Sequence, residues 1–408
     1  MLLHFFCPQC KSLVPPLGLS QRCNACGSVL VAGYDYKAIG DKLGQADLYS
    51  RARTIWRYQE LLPVMDEASI VSLGEGLSPV IPLLEAGKAM QAAQLFIKDD
   101  SVMPLGSFRS RLASVVVSKA REEMVGTIAA CSSQLEAFSL AAYAARAGIG
   151  AVLLVRRAAL GEACEQNILG TGASLYTYEC DEAEALSLVD ESSAARGWLN
   201  ATAFYEPYRL EGAKSIGFEI AEIFEWHVPD VIVVPALGGT ILAGIYRAMR
   251  DLIALGWVEN KLPRLVAVQS EERNPLVEAW EAKKLSLPIE ERAGGEIGFS
   301  EKVDFVNQSE YLALDAVYKS FGKALAVSRD EAAQARLTLA KSEGMIASAA
   351  GASTLAAALK LDAAGWIRRG ERVLLYNPEG ALISAGPSMT GGVAKTIPSG
   401  KDALLTGY

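Results

Sequence analysis

The sequence predicts an α/β fold built on parallel sheets and preceded by a small cysteine module. Three observations predict it. From Phe96 onward, short apolar runs alternate with helical stretches, the pattern that strand–helix crossovers leave in a sequence. Runs such as Val231–Val234 are apolar without alternation, as strands covered on both faces must be. Near the start, four cysteines stand in a CxxC-x12-CxxC pattern, a spacing that lets two thiolate pairs converge on one tetrahedral ion.

The elements follow in order. Residues 1–34 form the cysteine module, which is too short for much of a core and is expected to depend on metal to fold. Cys7, Cys10, Cys23 and Cys26 are the expected zinc ligands. Four thiolates fill the coordination sphere, so the ion is structural. A redox pair or disulfides remain the competing readings of these residues. A helical arm with Trp56 and Tyr58 follows, and Ser72–Pro79 reads as a turn. Strands are expected at Thr127–Ala130, Gly150–Val155, Asp230–Pro235, Arg264–Gln269 and Arg372–Tyr376. Helices are expected from Ser107 to about Ala120, up to Ala147, and over Gly212–Glu225. The Ala-rich stretch from Ala347 to Ile367 is interrupted by Lys360, Asp362 and Gly365, which suits a soluble helix better than a span. The domain boundaries read as 1–34, 35–111, 112–200 and 201–408. Glu290–Ser300 and the tail from Gly391 are expected to be the least ordered.

Composition narrows the function classes. The chain has 408 residues, 51% hydrophobic and 21% charged, with net charge −8, the balance of a globular protein of two to three domains. No basic run is present, which argues against nucleic acid or an anionic membrane as a partner. The start lacks the basic residues of a signal peptide. Cys131, Cys164 and Cys180 read as buried or half-buried thiols, and all seven cysteines suit a reducing cytoplasm.

The stretch from Lys98 to Arg111, KDDSVMPLGSFRSR, resembles the cofactor-lysine motif of threonine synthases, roughly KNExxNPTGSFKDR, without a gap. Tyr34–Tyr36 behind the cysteine module, Trp56–Tyr58, Leu73–Gly76, Ala141–Ile149, Arg209–Ser215, Pro229–Pro235 and Val268–Gln269 resemble further landmarks of these enzymes, the archaeal-type threonine and cysteate synthases in particular. The resemblance implies PLP (pyridoxal phosphate) fold type II: two parallel-sheet α/β domains, with an N-terminal zinc ribbon and the ligand in the cleft between the domains. It also implies a homodimer.

Departures from the family pattern fall where the cofactor would sit. Arg109 stands at the Schiff-base lysine, and a guanidinium stays charged and is a very poor nucleophile. The family's Ser-Thr-Gly-Asn-Thr loop aligns with Ser132–Glu136, placing Leu135 at the Asn. The phosphate cradle aligns with Pro235–Thr240, where Leu237 and Thr240 fall on glycines. Asn377 takes the place of the Thr that meets the pyridine nitrogen. A single engineered Lys→Arg exchange would not also alter the other three places.

Each candidate carries competing readings. Ser107 could cap a helix or donate to an anion. Arg109 opposes the helix dipole, so it is expected to bind a carboxylate or phosphate, with an internal pair to Glu136 or Asp100 as the alternative. Ser132, Ser133, Gln134, Gly238, Gly239, Thr240 and Asn377 complete the expected ligand-binding set. Lys98 could replace the missing amine, but a structural role on the strand edge fits better. His4 and His227 fall on no cofactor motif, and the pairs Asp99–Asp100 and Glu271–Glu272 read as loop charges. The expectation is a repurposed enzyme binding an anionic small molecule, amino-acid or phosphate-bearing, with PLP absent or noncovalent. The alternatives are a non-catalytic scaffold or partner of an active enzyme, and PLP chemistry with an unlinked cofactor.

Overall fold

The computed structural model describes residues 2–16, 19, 22–90, 94–283, 306–381 and 395–396. In chain order the elements are β1 (Leu2–Phe6), β2 (Leu13–Val14), β3 (Val31–Tyr34), α1 (Tyr36–Gly40), β4 (Val80–Pro82), α2 (Leu84–Lys88), β5 (Gln94–Asp99), α3 (Arg109–Glu122), β6 (Thr127–Cys131), α4 (Gln134–Ala147), β7 (Gly150–Arg156), α5 (Glu162–Gly170) and β8 (Ser174–Tyr178). They continue with α6 (Glu182–Arg196), β9 (Leu199–Asn200), α7 (Tyr208–Ile223), β10 (Val231–Pro235), α8 (Thr240–Ala254), β11 (Arg264–Ser270), α9 (Pro275–Glu281), α10 (Val306–Lys319), β12 (Lys323–Val327), α11 (Arg329–Glu343), α12 (Ala349–Ala363), β13 (Arg372–Asn377) and β14 (Lys395–Thr396).

Two compact units result, one of residues 1–75, 109–212 and 384–408, the other of 76–108 and 213–383. This division differs from the one read in the sequence, because residues 35–75 fall with 109–212. Local bonds explain the grouping. Trp56 Nε1 donates to Ser114 Oγ at 3.0 Å, Val71 N donates to Ser118 Oγ at 2.8 Å, and Ser114 Oγ donates to the Val71 carbonyl at 2.7 Å. The expected helical arm is short turns: beyond α1 it contains 3-10 segments, Ile55–Leu61 the longest.

In the first unit, β14-β8-β7-β6-β9 form a parallel sheet. The antiparallel β2-β1-β3 sheet carries the cysteine module. His4 on β1 lies over Gly33 on β3, where an added Cβ would come within 2.6 Å of the imidazole. That close approach gives the imidazole a packing role.

In the second unit the order is β12-β11-β10-β13-β5-β4, parallel except for β4. Pro82 sits on this edge strand, where its missing N–H costs no ladder bond. All of β10 is buried, as strands with helices on both faces require. Its core joins β10 and β13 to α12, whose run Ala356–Ala358 is buried in it. The Ala-rich stretch forms the helix expected there, over Ala349–Ala363, and Ser348 caps it by accepting from Gly351 N. Glu290–Ser300 and the tail from Gly391 lie outside the described residues, apart from β14.

A fully buried polar chain crosses the second unit. Lys98 Nζ donates to Glu219 Oε2 (2.7 Å), Ser78 Oγ (2.7 Å) and the Ser78 carbonyl (3.2 Å). Ser78 Oγ donates to Asp100, which also accepts from Tyr376 OH at 2.7 Å. Lys98 therefore lies inside the unit and not at a strand edge, and Asp100, read as a loop charge, is wholly buried. Desolvation explains the pairing, because a charge taken from water needs partners. Lys98→Met should lower unfolding free energy by about 3–5 kcal/mol by stranding Glu219. Urea denaturation of Lys98→Met and of Lys98→Met/Glu219→Leu checks this, with the double variant recovering much of the loss.

Candidate functional site

The cysteine module is built from two matching turns. Cys7 N donates to the Ser12 carbonyl and Lys11 N to the Cys7 carbonyl; Cys23 N donates to the Ser28 carbonyl and Gly27 N to the Cys23 carbonyl. Lys11 and Gly27, each four residues past the leading cysteine, have φ of 65° and 70°. The turns bring the four Sγ atoms within 4.8 Å of one another. Cys7–Cys26 and Cys10–Cys23 approach to 3.5 Å. A tetrahedral ion with Zn–S bonds of about 2.3 Å needs sulfurs roughly 3.8 Å apart, so the donor set fits zinc. Hydrogen bonding with Ser12 lowers Cys10 to about 6, whereas burial pushes Cys26 up to about 12.

Arg109 is the first residue of α3 and is half-buried. The turn before it contains Leu105 at φ 60° and Gly106 at φ 67°. A leucine in the left-handed region is strained, and such strain gathers at functional turns. Ser107 is extended and bridges Glu379, and Phe108 N donates to the Pro378 carbonyl at 2.9 Å.

Ser132, at the carboxyl end of β6, donates its N–H to the Leu154 carbonyl. Its hydroxyl oxygen is buried with no hydrogen-bond partner among the described residues. Ser133 is the exposed N-cap residue of α4, yet its side chain makes no capping bond. Gln134 turns aside, and its Oε1 accepts from Gly161 N at 2.9 Å. Glu136 pairs with Arg209, whose Nε donates to Glu206 Oε1 at 2.7 Å. Glu206 also accepts from Tyr208 N at 2.6 Å and Arg209 N at 3.0 Å, closing the first turn of α7. Burial pushes the Glu206 carboxyl up, with Arg209 opposing.

In the second unit, Gly238 and Gly239 take φ of 67° and 79° and lead into α8, which Thr240 opens. A Cβ at Gly238 would meet nothing within 4 Å, so conformation and not space asks for glycine there. Asn377 is fully buried. Its Oδ1 accepts from Ser348 N (3.2 Å) and Ser348 Oγ (3.0 Å), and its Nδ2 donates to Asp99 Oδ1 (2.7 Å). The amide thus ties β13 to the start of α12 and to β5.

Arg109, Ser132, Ser133 and Gln134 fall in the first unit, and Ser107, Gly238, Gly239, Thr240 and Asn377 in the second. Sequence reasoning did not single out Glu75, whose Oε2 accepts from Tyr143 OH at 2.5 Å and Leu73 N at 2.9 Å. Burial and then Glu75 raise the Tyr143 phenol far above its usual range. It also took Arg209 only as part of a landmark. The local signal was Glu206 three residues before Arg209, a spacing that can pair on a helix's first turn.

These parallel-sheet units and the strained turn before α3 define a PLP fold type II architecture. The chain belongs to the pyridoxal-phosphate dependent enzyme family, whose description matches residues 71–379. It is 32% identical over 369 residues to the threonine synthase of Methanocaldococcus jannaschii, covering 88% of this chain and 89% of that one. With the threonine synthase of Methanosarcina acetivorans it shares 31% over 375 residues, 91% and 90% of the two chains. Among solved structures, maize serine racemase superposes with TM-score 0.61 at 17% identity, over 75% of this chain and 88% of that one. A tomato (Solanum lycopersicum) threonine deaminase isoform gives 0.61 at 15% identity, over 80% and 89%. These two show the fold alone. No helix among the described residues is long and apolar enough to cross a membrane.

Asn377→Ala should take the acceptor from Ser348 N and one donor from Asp99, and cost about 1–3 kcal/mol. Chemical denaturation of the variant against wild type measures it.

Proposed function

We propose that this chain is a divergent, threonine synthase-like protein that binds an anionic small molecule, amino-acid or phosphate-bearing, through Arg109, and that it holds no PLP on a lysine. The observation that carries this reading is the half-buried guanidinium opening α3 where the family motif has its imine-forming amine. A cation at a helix start opposes the dipole and gains most from an anion nearby. Support also comes from the lysines. Among the described residues, Lys98, Lys119 and Lys214 are the buried ones, and each is ion-paired: with Glu219, with Glu122 and Glu123, and with Asp251. An amine held in an ion pair is a poor nucleophile. These buried lysines therefore do not fit the role of a cofactor-linking amine. The cysteine module is proposed to hold one structural zinc.

Thermal unfolding with inorganic phosphate, O-phospho-L-serine and PLP as probes tests the ligand. A probe at 100 times its Kd should add about 2.7 kcal/mol, and Arg109→Ala should remove the shift. If no anion raises Tm, and Arg109→Ala leaves biological function unchanged, the reading fails in favour of a non-catalytic scaffold or partner subunit. The metal is tested separately. Zinc should bind at about one equivalent per chain, and Cys23→Ser should lose both the metal and several degrees of Tm. Disulfide-linked cysteines in place of metal would contradict this.

A further inference from the structure

The cysteine module is docked on the head of α7 by three of its own side chains. Phe5, two residues before Cys7, meets the Tyr208 ring edge-on, with centroids 5.9 Å apart and planes at 78°, a favoured aromatic geometry. Arg22, next to Cys23, lays its guanidinium 3.6 Å from the centre of the Tyr205 ring, as a cation–π contact requires. Tyr34, at the end of β3, donates its hydroxyl to Glu211 Oε2 at 2.7 Å. Phe5, Tyr34, Tyr205, Tyr208 and Glu211 are all buried. Tyr208 and Glu211 are three apart and share a face of the first turn of α7. Tyr205 stands three residues earlier, on the approach to that turn.

The neighbouring face of the same turn is committed to α4. Glu206 accepts from Tyr208 N at 2.6 Å, Arg209 N at 3.0 Å and Arg209 Nε at 2.7 Å. Arg209 also donates to Glu136, the third residue of α4, and to the Ala201 carbonyl. Gln134 opens α4, and its Oε1 accepts from Gly161 N at 2.9 Å. Contacts therefore run unbroken from the cysteine module, through the head of α7, to the loop that begins α4. All of these residues belong to the first unit.

The two ends of this chain of contacts differ in what holds them. The heads of α4 and α7 rest on a buried ion-paired core. The module is too short for a core of its own, so metal binding and folding are one event in it. Without an ion, four thiols would no longer join the two turns, and the frame presenting Phe5, Arg22 and Tyr34 would loosen. Glu211, fully buried, would lose a donor, and the Tyr205 and Tyr208 rings would lose their partners. Such losses act on the turn whose backbone N–H groups Glu206 holds, and so on Arg209 and Glu136.

We propose that the cysteine module is a metal-dependent clamp on α7. With its ion bound it holds the head of the helix and, through Glu206 and Arg209, fixes Glu136 and the Ser132–Gln134 loop. Loss of the metal frees that loop and leaves the second unit folded. Phe5, Arg22 and Tyr34 are its positioning residues. The proposal rests on the zinc reading of the four cysteines, but the docking contacts can be tested apart from it.

Hydrogen–deuterium exchange of the full-length protein, followed by peptide, is the test. Chelation should speed exchange about tenfold or more over 132–138 and 204–212, and less than about twofold over β10 in the second unit. Arg22→Ala and Tyr34→Phe keep all four cysteines and should keep the zinc, yet each should speed exchange about threefold or more over the same two segments. If chelation deprotects 2–14 and leaves 132–138 and 204–212 unchanged, the clamp is wrong and the zinc reading stands. Zinc-loaded variants that exchange like wild type over both segments overturn it equally. A rise of similar size over β10 would reduce the metal to a general stabiliser and overturn the clamp as well. If the purified protein takes up no zinc, the zinc reading falls and the metal dependence with it; faster exchange in the two variants would then leave only a docking role for the module.

Discussion

A guanidinium does not form an imine, and in this chain a guanidinium stands where the family motif has its imine-forming lysine. Arg109 stands at the head of α3, behind a turn strained at Leu105. Pro104, Gly106, Ser107 and Phe108 match the family motif, whereas Leu105 stands at its threonine. The turn presents a permanent charge with five donors in a fixed fork. Such a group recognises carboxylates and phosphates; it does not attack a carbonyl. Proposed chemistry for the protein has to begin from charge recognition.

Charge compensation inside the units is the second constraint. Lys98, Lys214 and Arg209 are almost wholly buried, and each meets a carboxylate. Such pairs contribute little net stability over an apolar isostere, yet losing one partner is expensive. They fix the arrangement of β5, α7 and α8 in the second unit and of α4 and α7 in the first. They also occupy the amines that could otherwise be enlisted for covalent work. Glu136 is the exception: half its carboxylate is tied to Arg209 and half is left over.

Much of the fold was legible because period and composition speak directly. The apolar runs of β7, β10, β11 and β13 read as buried parallel strands, and α3, α4, α7 and α12 appeared close to their observed bounds. β8 and β12 were missed: Ser174–Tyr178 alternates polar and aromatic residues, and Lys323–Val327 is a short edge strand with a charged start. The arm after residue 34, expected to be helical, consists of short segments held by side-chain bonds to α3. The cysteine spacing foretold the one cluster of metal-ligand type found among the described residues. Partnerships across the sequence stayed hidden. Nothing local says that Asn377 is spent on Ser348 and Asp99, or that Glu136 reaches a residue 73 positions away.

Incubation with PLP, reduction with borohydride and peptide mass mapping decide whether this chain carries PLP on a lysine. The expected result is no lysine carrying a stoichiometric pyridoxyl group, only sparse modification scattered over surface lysines. A single lysine modified at close to one group per chain would contradict it, and would show that the chain found another amine to do the work of the one absent from position 109.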